Sequence, residues 1–246
     1  MLQNPDVVIE KPSFVRYFWL EWLRPIGEAL LLALLITTFA FTTVGVLGSS
    51  DEPTLHSGER LFVPKYQTWL HRFGIGSFHR GDLVVVRPPS SSPYAVQPLP
   101  FLGQLGATFR PFFIKRIVGL PGDRLRMVQG QLYINGKAVN ESHTVPYWQA
   151  KGQWDQSSSL ANSDTWTFRK GQIGEFTVPQ GMYFVMGDNR SPGGSEDSRD
   201  FGPVALNQIG GRASFMLWPP LTRDTNGHWQ LNWHPMRAPQ GLQGIR

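Results

Sequence analysis

The sequence predicts an all-β body of antiparallel strands preceded by one N-terminal transmembrane helix. Three observations predict it. Ala29 to Leu47 is a run of nineteen residues without a charge, which as a helix covers about 28 Å, close to the roughly 30 Å of a bilayer's hydrocarbon core. Beyond Leu55 the chain reads ERLFVPKY, GDLVVVRPP, FFIKRIVGLPGD, QLYINGKAV, GMYFVMGDN and RASFMLWPP. These are short apolar or alternating runs broken by Gly, Pro, Asn and Asp, the pattern of strands joined by tight turns. The 26 glycines and 20 prolines among 246 residues suit many turns and few long helices.

Taken in order, residues 1–28 form a cytoplasmic or interfacial segment, where Phe14, Phe18 and Trp22 recur at helical spacing beside Trp19. Such rings suit the headgroup layer, and a plain extension of the following helix fits them equally. Residues 29–47 are the anchor. A cleavable secretory signal ending near Val46-Leu47-Gly48 competes with that reading, as does a buried core helix. The run is longer than the roughly 7 to 15 residues of a signal core and follows a long leader, which favours an uncleaved anchor. Lys11, Arg16 and Arg24 precede it while Arg60 and Lys65 follow, a bias that puts the N-terminus in the cytoplasm and the body outside. Gly48, Ser49 and Ser50 favour caps and turns, and Pro53 biases Glu52 toward extended backbone, so the chain leaves the helix there. Residues 48–139 and 179–220 are the two parts of the main β domain. A smaller insertion domain, polar and carrying Ser157-Ser158-Ser159, takes 140–178, and 221–246 is a C-terminal segment. Asn135-Gly136 between strand formers is the strongest hairpin signal. Arg87 to Pro111, rich in Pro and Ser, reads as a long loop.

Composition narrows the chemistry. With no cysteine there is no disulfide, thiolate metal site or cysteine nucleophile. Lys and Arg number 23 against 18 Asp and Glu, a net charge of +5, but the basic residues are scattered, which reads as a solvated surface and implies no nucleic-acid partner. His71 and His79 stand eight apart without an H-E-x-x-H, and no G-x-S-x-G elbow accompanies the six histidines. No metal, nucleotide or other cofactor is implied.

One strand carries an anomaly. In Phe113-Ile114-Lys115-Arg116-Ile117-Val118 the period of two sets Lys115 between Phe113 and Ile117 on one face. If that face is buried, desolvation disfavours the ammonium, and a neutral lysine can take a proton. On the strand alone the exposed reading is favoured, and Lys115 is then an ordinary surface residue.

Ser50 with Pro53-Thr54-Leu55 and Gly58 comes first; Gly81-Asp82 with Val84-Val85-Val86 follows. Next is Lys115-Arg116-Ile117-Val118-Gly119-Leu120-Pro121-Gly122-Asp123, and last Gly187-Asp188-Asn189-Arg190 with Asp197-Ser198-Arg199 and Gly202. In this order the blocks resemble bacterial type I signal peptidases, from the anchor to about Trp218. The resemblance implies an antiparallel β fold of the signal-peptidase type, with a smaller inserted β domain. It implies a membrane-anchored Ser-Lys serine endopeptidase, with Ser50 as nucleophile and Lys115 as general base. It further implies an Asp197–Arg199 ion pair beneath the site and a Ser195 hydroxyl that holds the lysine amine. The implied partners are signal peptides of exported preproteins, cut after small side chains, and membrane lipid. Ser50, three residues past Leu47, would then act at the surface of the cytoplasmic membrane.

The sequence departs from the family at three places. Ser191 to Gly194 make the approach to Ser195 two residues longer than expected. Gly48 stands where some members carry a serine that helps bind the oxyanion, leaving the Ser50 N–H and another donor or water for that task. Asp51 stands where the family nearly always has methionine. Either Asp51 lies beside Lys115 and favours the ammonium, or it faces water or pairs with a cation such as Arg60. Self-cleaving SOS repressors share a Ser-Lys pair but carry a DNA-binding module in place of an anchor. A catalytically impaired relative that binds signal peptides or scaffolds the export machinery is the alternative function.

Overall fold

The computed structural model describes residues 14–90, 92–101, 103–156, 175–223 and 227–245. The chain forms two units, Met1–Ala40 and Phe41–Arg246.

In the first unit, residues 14–40 are helical, and Arg16–Ala40 is a stretch of 25 residues long and apolar enough to cross a membrane. Trp19, Leu20, Trp22, Leu23 and Ile26 extend the apolar surface ahead of Ala29, and Arg24 bonds Glu28 one turn on at 2.7 Å. The expected anchor of 29–47 is therefore shifted: the helix begins earlier and ends at Ala40. Phe41–Gly45 is instead a strand, antiparallel to Arg60–Pro64 with Phe41 opposite Pro64 and Gly45 opposite Arg60. β-Branched Thr42, Thr43 and Val44 favour that outcome once a partner strand is present.

In the second unit a five-stranded antiparallel sheet runs in the order Val204–Ala205, Met182–Met186, Phe113–Gly119, Leu83–Val86, Ile209–Arg212. Its middle strand is covered on both faces. Ile114 packs with Leu55, Leu61, Val63, Leu83 and Val85 on one side, Ile117 with Val84, Val86, Val185, Phe201 and Val204 on the other. Each such fully buried side chain contributes about 1.5–3 kcal/mol. A three-stranded sheet, Phe41–Gly45, Arg60–Pro64 and Phe215–Trp218, borders the first cluster.

A four-stranded sheet orders Phe176–Thr177, Arg124–Val128, Gln131–Ile134 and Lys137–Ala138. It holds the expected hairpin: Asn135 and Gly136 have φ of 52° and 79°, the positive pair that a two-residue turn of this kind requires. The small sheet thus draws on 124–138, placed by sequence in the main domain. It shares one core with the main sheet through Val118, Phe184 and Met186, and Leu242 of the C-terminal segment joins the same cluster. Of the expected insertion, 157–174 lie outside the described residues, Ser157-Ser158-Ser159 included. Its beginning is no separate domain: the short helix Val145–Ala150 buries Trp148 against the turn at Asp188. The expected long loop holds a small ribbon, Gln97–Pro98 with Thr108–Phe109. In the C-terminal segment, Leu221–Arg223 pairs with Trp229–Leu231.

Candidate active site

The Ser50 segment is set by its two ends. Val46 continues the ladder, donating to the Glu59 carbonyl at 2.8 Å and accepting from Gly58 N–H at 3.0 Å. Gly48 then turns the chain at φ +84°, a region that costs an L side chain strain. Bonds from Glu52 N–H to the Ser49 carbonyl (3.1 Å) and from Leu55 N–H to the Asp51 carbonyl (2.9 Å) wind the segment, and Leu55 is wholly buried beyond it.

Lys115 enters from the middle strand, in register opposite Val84. Its side chain is 2% exposed, so the exposed reading of this strand face is overturned. The cause is the cover on both faces of the sheet, which period-two alternation does not reveal. The Lys115 Nζ donates to Ser50 Oγ at 2.7 Å and lies 3.7 Å from Asp51 Oδ2. Ser50 Oγ donates to the same carboxylate oxygen at 3.0 Å. Of the two sequence readings of Asp51, its place beside the lysine holds. Burial pushes the Asp51 carboxyl up to about 6, against the opposing pull of Lys115.

Beneath the pair lies a buried polar layer. Arg116 Nε bonds Asp188 Oδ1 at 2.8 Å and Arg116 NH1 bonds the Gly81 carbonyl at 2.8 Å. Thr54 donates to the same carboxylate at 2.5 Å, while Thr144 Oγ1 and Trp148 Nε1 donate to the Asp188 carbonyl. Burial alone would raise the Asp188 carboxyl, but Arg116 and His143 override it and hold it well below the usual range. Arg190 forms an ion pair with Glu141, 2.5 Å from NH1 to Oε1, and donates from Nε to the Gly187 carbonyl at 2.9 Å.

This layer grips the serine segment through one turn. Asn189 N–H donates to the Ser50 carbonyl and its Nδ2 to the Ser49 carbonyl, each at 3.0 Å. Gly187 sits so close that a Cβ there would lie 2.3 Å from the Ser50 carbonyl oxygen and 2.2 Å from Ser195 Oγ. Asp197 and Arg199 form the expected ion pair, with Nε–Oδ1 of 2.9 Å and NH2–Oδ2 of 2.8 Å. Asp197 also caps the Ser198–Phe201 turn and accepts from Gly187 N–H at 2.9 Å. Burial opposes its ionisation, but Arg199 and these N–H groups keep its carboxyl below the ordinary value.

Ser195 departs from expectation. It is buried beside Gly187, but its hydroxyl has no hydrogen-bond partner among the described residues. The lysine amine is held by Ser50, with Asp51 alongside, where the family's methionine would offer no charge. Gly48 is open, with nothing within 4 Å of where a Cβ would be. The 187–190 turn belongs to the last of the matching blocks, but its buried partners Arg116, Glu141, Thr144 and Trp148 were not recognised as such in the sequence. An arginine directly after the lysine in an otherwise apolar strand was the signal for the first.

A hydroxyl held by a buried amine is suited to nucleophilic attack with proton transfer to nitrogen. The profile of the family described as "Signal peptidase, peptidase S26" matches residues 19–218. The chain belongs to that signal peptidase family. It is 39% identical over 202 residues to signal peptidase I T of Bacillus subtilis, covering 82% of this chain and 86% of that one. Signal peptidase I of Bacillus licheniformis is 35% identical over 211 residues, 85% of this chain and 94% of that one. A crystal structure of signal peptidase I from Enterococcus faecalis is 27% identical, spanning 56% of this chain and 97% of that one, with a TM-score of 0.34. The membership rests on sequence, and the family profile's match ends at residue 218, before the C-terminal ribbon.

Proposed function

We propose that this membrane-anchored signal peptidase is a serine endopeptidase that removes signal peptides from exported preproteins, with Ser50 as nucleophile and Lys115 as general base. The observation that carries it is the 2.7 Å contact of Lys115 Nζ with Ser50 Oγ at a buried site. With the amine neutral, the Ser50 proton passes to Nζ as Oγ bonds the scissile carbonyl carbon. The ammonium then protonates the departing amine as the C–N bond breaks, leaving an acyl ester on Ser50. Water attacks that ester, one of its protons passing to Lys115, which returns it to Ser50 Oγ as the ester C–O bond breaks, leaving the free serine hydroxyl and a new carboxyl terminus. The Ser50 N–H is the assigned oxyanion donor, since Gly48 has no side chain to contribute. Asp197, Arg199 and the 187–190 turn orient the serine segment. The substrate is a preprotein with small side chains before the cut, reached at the lipid surface.

The proposed orientation, a single pass with the N-terminus cytoplasmic and the body on the extracytoplasmic side, is supported by the basic residues ahead of the apolar stretch. Sealed right-side-out vesicles carrying the full chain are expected to cut an added preprotein once, at a small-x-small junction. Cutting only by inverted vesicles would reverse the orientation. No cutting by either, or by the chain in detergent, would overturn the enzyme reading.

A further inference from the structure

Asp51 is 3% exposed, and its Oδ1 has no hydrogen-bond partner among the described residues. Its Oδ2 accepts from Ser50 Oγ at 3.0 Å and stands 3.7 Å from Lys115 Nζ. A buried carboxylate in that position makes one hydroxyl face two acceptors, since Ser50 can give its single proton to the carboxylate or to a neutral amine, not to both. With Lys115 as ammonium, nitrogen donates to Oγ and the hydroxyl proton points to Asp51. That arrangement is unreactive. When the ammonium loses its proton, the hydroxyl turns to nitrogen and the pair is ready.

Resting on the Ser50–Lys115 reading, we propose that Asp51 is a positioning residue of the catalytic pair, a carboxylate that parks the Ser50 proton and holds the Lys115 ammonium, so setting the pH above which the site reacts. Other charges also face the cluster. Arg116 and Asp188 also act on Asp51, and Glu196 feels Lys115. Arg116 and Asp188 are tied to each other, and Glu196 is not in hydrogen-bond contact with the pair, so Asp51 is the carboxylate whose removal acts directly.

Asp51→Asn keeps the shape and an acceptor oxygen but removes the charge. Once the carboxylate beside the amine and the hydroxyl is gone, the rising limb of kcat/KM against pH is expected to start at a lower pH in Asp51→Asn. A merely structural role would lower the rate at every pH without moving the limb, and superimposable limbs would overturn the proposal. A second readout does not depend on turnover. The Asp51 carboxyl, followed by carbon NMR in the full chain in detergent micelles, is expected to titrate near pH 6 and to move upward by at least about one unit in Lys115→Gln. An unmoved midpoint would overturn the coupling even in a protein that cuts nothing. A moved midpoint in a chain without peptidase activity would leave the coupling standing and sink the enzyme reading alone.

Discussion

Lys115→Gln is expected to lower preprotein cleavage by about 10²–10⁴-fold, the range that a positioned general base contributes. Glutamine matches the length of most of the side chain and can still donate to Ser50 Oγ, but it accepts no proton from the hydroxyl at working pH. Arginine would be a poorer probe. The side chain is 2% exposed within a strand packed on both faces, and added bulk there costs about 1–3 kcal/mol by overpacking. The glutamine variant is expected to fold, because Asp51, which burial already raises to about 6, can take up a proton once the ammonium is gone. Cleavage rates and far-UV circular dichroism measured together check this. Near-parental cleavage by a folded Lys115→Gln would remove the lysine from the mechanism.

Asp188→Asn is expected to destabilise the body by about 3–5 kcal/mol, because it leaves Arg116, 1% exposed, as a buried cation without its counter-charge. In a domain of this size that corresponds to a fall in Tm of roughly 6–20 °C. Activity should fall with it, since Asn189, the next residue, holds the Ser50 carbonyl. The pH dependence has a defined sign. The folded Asp188 carboxyl is held below its unfolded value, so its stabilisation is complete above about pH 4 and is lost as pH falls further. Asp51 is raised to about 6 and works in the opposite sense: its contribution is present below about pH 4 and lost as pH rises through about 6. Thermal melts of parent and Asp188→Asn should therefore converge as the pH is lowered below 4. A variant as stable as the parent at pH 7 would show that the ion pair contributes nothing net.

The parts legible in the sequence were those fixed by local chemistry. Asn135-Gly136 admits few turns, and the runs around Val84, Ile117 and Val185 are β-branched and bounded by breakers, so strands appeared where they were expected. Lys115 was conspicuous as a charge between apolar neighbours. Its burial was not readable, because a strand covered on both faces shows no alternation to say which side is dry. The end of the helix was illegible for a related reason: Phe41–Gly45 is uncharged and continues the run before it, and only Arg60–Pro64, distant in sequence, decides for strand. The layer under the site depends on longer reach still. Arg116 meets Asp188 across 72 positions and Trp148 reaches the Asp188 carbonyl across 40, and no local pattern encodes such pairings. Asp51 was visible as an oddity in the family's pattern, but its contact with Lys115 exists only once the serine segment lies over the middle strand.

The most direct test of the account is to catch the ester. A preprotein mixed with an excess of the full chain in detergent, quenched in acid within a single turnover and digested, is expected to yield a peptide containing Ser50 that carries the mass of the acyl fragment. The Ser50→Ala chain should yield neither adduct nor product. An adduct on any other residue, or undiminished cleavage by Ser50→Ala, would contradict the assignment of Ser50 as the nucleophile activated by Lys115.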